Sequence, residues 1–124
     1  MNSNRPVNLD LTSIRLPLPA YASILHRISG IILFVGTGFA LKALELSLAS
    51  PAGFAKLQSC LQTPFAKIVL WALLSALGYH FFAGIKHLLM DSGIGESKEA
   101  GRILAQATLV LGLSFALLAG YWIW

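Results

Sequence analysis

Charge is scarce in this chain, and cysteine is nearly absent. Only 11% of its 124 residues are Asp, Glu, Lys or Arg, against 56% hydrophobic, and the mean hydropathy is +0.74. That balance excludes a soluble globular domain and describes an integral membrane protein. Cys60 is the single cysteine, so the chain forms no internal disulfide and holds no cysteine-ligated iron–sulfur cluster. A glycine-rich dinucleotide fingerprint is missing as well. Any flavin or cluster must then belong to other chains, and only a membrane-embedded cofactor is open to this one. Met1 to Pro19 contain no continuous apolar stretch and nothing like a long Arg/Ser-rich transit sequence. No cleavable signal peptide is expected, and a bacterial inner membrane is the expected home.

What the chain has instead is three apolar stretches, Ile28 to Leu48, Phe65 to Ile85 and Ile103 to Trp124, of 21 or 22 residues each. At about 1.5 Å per residue each reaches roughly 30 Å, one membrane crossing. The expected fold is an all-α membrane protein of three transmembrane helices. It forms a single membrane-anchor domain over residues 1–124, with spans at about 23–48, 65–89 and 103–124. Ahead of them, residues 1–22 are expected to be a short segment on the cytoplasmic surface. Leu9, Leu11, Ile14, Leu16 and Leu18 alternate there with polar residues, and Pro17 and Pro19 interrupt any regular helix. The stretch between the first two spans, Ala49 to Pro64, carries Pro51, Gly53 and Pro64 and reads as a plain connection. The stretch from Met90 to Arg102 reads as a solvated loop. Lys42 and Glu45, three residues apart, can pair near the far end of the first span.

Three spans put the chain ends on opposite sides of the bilayer. Arg5, Arg15, Arg27, Lys86, Lys98 and Arg102 fall on one side, and Lys42, Lys56 and Lys67 on the other. By the positive-inside rule the N-terminus is cytoplasmic and the C-terminus periplasmic, with Tyr121, Trp122 and Trp124 at the outer interface. The net charge of +4 then reflects topology rather than nucleic-acid binding.

Within the second apolar stretch stands His80, an ionisable side chain where such residues are functional by default. His80, His87 and Asp91, spaced by seven and then four, share one helical face, with Lys86 beside them. At the entrance of the first span Ser23, His26, Arg27 and Gly30 form a second stripe at i, i+3, i+4 and i+7. Both stripes reach the cytoplasmic edge, where a pocket between them would offer donors, positive charge and titratable groups beside lipid. That suits a lipid-soluble substrate with polar head atoms, such as a quinone, whose reduction needs donors on its carbonyls and a route for protons.

His80 lies about 10.5 Å along the helix axis from His87, too far for one metal to take both. A neutral imidazole is a standard axial ligand of haem iron, and Gly84 and Gly30 would let a flat macrocycle approach the helices. The second axial histidine would have to come from another protein, because His26 and His87 are too shallow. Plainer readings stand beside these. His80 can bond a carbonyl or a neighbouring helix, Arg27 can serve as a topology determinant, and Ser23 can open a helix. Asp91 can pair with Lys86 or His87, and the glycines can be packing sites. A transporter-like proton relay through His80, His87 and Asp91 also remains open.

The segments S-I-L-H-R-I-S-G at Ser23 to Gly30 and H-F-F-A-G-I-K-H-L-L-M-D at His80 to Asp91 resemble a known pair. They are similar to the two signature segments of the cytochrome b556 subunit family of succinate dehydrogenase, and R-P-V-N-L-D-L at Arg5 to Leu11 is similar to that family's start. The likeness covers essentially the whole chain, with the motifs in the family's order and spacing. It implies a membrane anchor of succinate:ubiquinone oxidoreductase, a subunit of an enzyme with no succinate-oxidising or other catalytic residue of its own. It implies haem b with His80 as axial ligand to the iron, the other axial histidine coming from a second membrane anchor subunit. Ubiquinone binding is implied at Ser23 and Arg27, close to an iron–sulfur subunit that is fed by a flavoprotein subunit. Haem-propionate contacts are implied at His26 and Arg27. His87 and Asp91 match polar positions near the haem and the cytoplasmic boundary, and Asp91 is a candidate for the proton route. The family often assembles as trimers of a four-subunit unit. The sequence departs at Lys86, where the family usually shows arginine; lysine keeps the charge and gives up the bidentate geometry. A haem-free fumarate reductase anchor, or a non-enzymatic assembly or proton-relay subunit, are the competing expectations.

Overall fold

The computed structural model describes residues 14–124; the motif from Arg5 to Leu11 and most of the expected surface segment lie outside the described residues. The described residues form four helices, α1 (Leu18–Ala49), α2 (Pro51–Leu61), α3 (Pro64–Asp91) and α4 (Lys98–Ile123), with no strand among them. α1, α3 and α4 are each long and apolar enough to cross a membrane. At 32, 28 and 26 residues they run about 48, 42 and 39 Å. All exceed a hydrocarbon core of about 30 Å, so their ends reach the headgroup layers or the helices tilt.

The prolines among the described residues open helices rather than interrupt them. Pro17 is the extended residue before α1 and Pro19 sits in its first turn, where a missing N–H costs no intrahelical bond. α1 therefore begins earlier than expected. The same effect corrects the reading of Ala49 to Pro64 as a plain connection. Pro51 starts α2, whose N-cap Ser50 accepts a bond from the Gly53 amide at 3.0 Å. Thr63 caps α3 in turn, with the Ala66 amide 3.3 Å from its Oγ1.

α3 is the central helix. It packs against both α1 and α4, more extensively against α4, and α1 also touches α4. The contacts run through small residues. Ala22, Ser29 and Gly36 are buried on α1, Gly78 and Ala83 on α3, and Gly101, Ala105, Thr108, Gly112 and Ala119 on α4. In lipid no hydrophobic force draws helices together, so close backbone approach and cross-helix hydrogen bonds take over. Two such bonds tie α3 to its neighbours: the Tyr79 hydroxyl donates to the Ala22 carbonyl at 2.8 Å, and the Trp71 indole to the Ala116 carbonyl at 2.8 Å.

The reversal from α3 to α4 is glycine-built. Gly93 has φ 84°, its amide bonds the Met90 carbonyl and the Ile94 amide bonds the Leu89 carbonyl, a Schellman ending. Gly95 follows with φ 87°. Ser97 then caps α4, its Oγ accepting from the Ala100 amide at 3.1 Å.

Candidate functional site: a row of histidines between α1 and α3

His80 sits 11 residues before the end of α3, about 16 Å along the axis from that end. This is deep enough that its polar atoms must find partners in protein. Its Nδ1 lies 3.0 Å from the Ser29 hydroxyl and 3.2 Å from the His26 carbonyl. The Ser29 hydroxyl itself donates to that carbonyl at 2.7 Å. Among the described residues no group hydrogen-bonds His80 Nε2.

The His26 ring stacks on His80, with centroids 4.2 Å apart and planes at 27°, and it is tilted against His87 at 5.1 Å. The three imidazoles thus form a row with His26 in the middle, bridging the two α3 histidines. His26 Nε2 is buried and has no hydrogen-bond partner among the described residues. Leaving such a nitrogen unpaired costs about 1–3 kcal/mol. Gly30 makes room for this row: a Cβ there would come within 3.2 Å of His80 Cε1. At Gly84 a Cβ would meet only His26 Nε2, at 4.0 Å.

The other expected site residues surround this row without joining its hydrogen bonds. Ser23 is half-buried near the start of α1, Arg27 is exposed one residue beyond His26, and Asp91 is exposed at the last position of α3. No ion pair joins Asp91 to Lys86 or His87 among the described residues; the ion pair found there is Lys42–Glu45, at 2.8 Å and well exposed. Lys86 is packed between α3 and α4. It is 4% exposed and lines the α3–α4 groove with Phe82, Leu104 and Thr108.

Ser29 is the residue that sequence reasoning missed. Its place in S-I-L-H-R-I-S-G, three residues after His26, was visible, but a serine bonding its own helix and a serine reaching a second helix look alike in sequence. No group of three or more His, Cys, Asp or Glu side chains that would enclose a metal ion by themselves occurs among the described residues. A metal bound here would take ligands from outside the described side chains as well.

Residues 1–119 match the model of the succinate dehydrogenase/fumarate reductase transmembrane subunit family. The chain belongs to that family. It is 45% identical to a succinate dehydrogenase cytochrome b556 subunit of Coxiella burnetii over 125 residues, covering all of both chains. It is 34% identical to the protein of that name from Paracoccus denitrificans, over 93% of this chain and 88% of that one. A succinate dehydrogenase cytochrome b560 subunit of Reclinomonas americana is also 34% identical, over 99% of this chain and 88% of its own length. Two of the motifs that carried the resemblance at the level of sequence lie at the site: Ser23 to Gly30 in the first half of α1, and His80 to Asp91 at the end of α3. As a transmembrane subunit of this family, the chain works within an assembly that contains other succinate dehydrogenase subunits.

Proposed function

We propose that the chain is the haem b-bearing, quinone-binding anchor of a succinate:ubiquinone oxidoreductase in a bacterial inner membrane. In that assembly a flavoprotein subunit oxidises succinate and an iron–sulfur subunit passes the electrons to ubiquinone near Ser23 and Arg27. A second small anchor subunit supplies the other axial histidine. The observation that carries this reading is His80, deep in α3, with Nδ1 among hydrogen-bond acceptors and Nε2 unbonded. A neutral imidazole anchored through one nitrogen offers the other as a metal ligand.

The surrounding residues fit the same group. The buried, unpaired His26 Nε2 suits a propionate oxygen, and Gly84 leaves the space beside it open. His87 and Arg27 add donors and positive charge at the same end of the bundle. When bound, haem b supplies a one-electron redox centre. The chain's own work is to ligate through His80, hold propionates with His26, Arg27 and His87, and keep Gly30 and Gly84 free of side chains. The Ser23 hydroxyl and the Arg27 guanidinium would hydrogen-bond quinone carbonyls and favour the electron-rich reduced form. Asp91, exposed at the end of α3, would exchange protons with water on the quinone's behalf.

A dithionite-reduced minus oxidised spectrum of the complex, purified through a tag on this chain, tests the reading alongside His80→Ala. A b-type α-band that is lost or displaced in the variant is the expected result. Absence of haem from a wild-type complex that retains its flavoprotein and iron–sulfur subunits would establish a haem-free anchor of the fumarate reductase kind instead. Absence of both haem and partners would overturn the respiratory reading.

A further inference from the structure

We infer that Ser29 is a positioning residue for the haem ligand: its hydroxyl, pinned by the His26 carbonyl, holds His80 in the Nδ1–H tautomer and so leaves the lone pair on Nε2. The inference rests on the proposed role of His80 and adds to it a residue that the ligand set does not include.

Three atoms define the device: Ser29 Oγ, the His26 carbonyl oxygen and His80 Nδ1. They are separated by 2.7, 3.0 and 3.2 Å. The carbonyl can only accept. The serine has one proton, and its shorter contact is to that carbonyl, so the oxygen it turns toward the ring is an acceptor as well. With acceptors at both contacts, Nδ1 must carry the hydrogen. The reverse arrangement, a serine donating to a bare Nδ1, would set the ring lone pair against the carbonyl lone pairs at 3.2 Å. Burial strengthens the preference: Ser29 is 5% exposed, water does not compete there, and a mismatched pair costs more than in solvent.

Ser29 and Gly30 act together. The serine supplies the acceptor, and the next residue supplies the space, since a Cβ at Gly30 would press on His80 Cε1 at 3.2 Å. One helical step of α1 thereby fixes both the protonation pattern and the seat of an imidazole carried by another helix. A partner that accepts from the far nitrogen also raises the basicity of the ligating one, which favours the oxidised metal.

The test uses the assembled complex with Ser29→Ala, Ser29→Cys and Ser29→Thr, each checked for normal flavoprotein and iron–sulfur content. Haem content, α-band position, haem midpoint potential and haem transfer to excess apomyoglobin are the readouts. Ser29→Ala is expected to raise the midpoint potential and weaken haem retention by about 10- to 100-fold, the range for loss of a ligand's supporting partner. Ser29→Thr, which keeps the hydroxyl, is expected to return both toward wild type. Should the alanine variant assemble poorly, Ser29→Cys, nearly the same size with a much weaker hydrogen bond, decides the matter and should follow the alanine pattern. Wild-type potential and haem retention in the assembled alanine or cysteine variant would overturn the role of Ser29 while leaving His80 as ligand. A b-type band that persists unchanged in His80→Ala would instead overturn the underlying reading, and the role of Ser29 with it.

Discussion

Arg27 and His26 are adjacent in sequence and differ in burial and in what surrounds them. His26 is tucked between two imidazoles with a buried ring nitrogen, whereas Arg27 is exposed and its guanidinium is held by no hydrogen bond or ion pair among the described residues. A charge that holds nothing among the described residues is available to a ligand. Arg27→Leu is therefore expected to cut quinone reductase activity by about 10²-fold, the scale for losing one donor aimed at developing charge. Succinate oxidation by a soluble dye should stay near the wild-type rate. Equal loss of both activities would mean that Arg27 serves assembly instead. The same pair shows how far residue-level reading reaches. His80 stands out because an imidazole within an apolar stretch demands a partner, and His26 because it belongs to the polar stripe Ser23, His26, Arg27 and Gly30. Ser29 does not, because serine is common in membrane helices and most often bonds its own helix, as Ser47 and Ser75 do here. Whether a serine also reaches a residue 51 positions away is decided by how helices pack, which no local pattern encodes.

At the scale of elements, the helices were legible wherever apolar length alone decides them, and α2 was not. Pro51 and Gly53 look like breakers within Ala49 to Pro64, yet each has a helix-compatible role. Pro51 occupies the first turn of α2, and Gly53 allows close approach to α1, where a Cβ would strike the Leu46 carbonyl. Helix pairing was likewise hidden, because it depends on which glycines face a neighbour. Gly112 on α4 does: a Cβ there would come within 2.6 Å of Tyr79 Cδ2 and 3.5 Å of its Cα. Gly38 on α1 has nothing within 4 Å. Gly112→Leu is expected to force α4 off α3, strain the Tyr79 bond to Ala22 and lower the yield of assembled complex sharply. Gly38→Leu should assemble like wild type. Detergent extraction followed by native gels compares the two, and equal yields would mean that α3 and α4 are not held by this contact.

At the scale of the whole molecule, the described residues contain no large side chain that is fully buried, and the apolar core consists of Ala22, Ala83, Ala105 and Ala119. Phe34, Phe39, Leu48, Phe65 and Tyr121 are all at least 70% exposed, which in water would mark an aggregating surface and in a bilayer is ordinary lipid- or subunit-facing area. The arrangement has two chemically distinct ends. The start of α1, the end of α3 and the start of α4 gather Arg27, His87, Asp91, Lys98 and Arg102, while the far end carries α2 and the closing Trp122 and Trp124. The positive-inside rule predicts that the first end faces the cytoplasm, which is also where an iron–sulfur subunit fed by soluble succinate would have to dock. Cys60 makes this orientation measurable. It is the only cysteine, it is exposed, and it lies in α2 at the opposite end. A membrane-impermeant maleimide should label it in intact spheroplasts, with no increase on permeabilisation. A Cys60→Ser control should remain unlabelled. Labelling that requires permeabilisation would turn the chain over, put the histidine row at the periplasmic side and separate it from any cytoplasmic electron donor, removing the quinone site from Ser23 and Arg27 along with the proposed route of electrons.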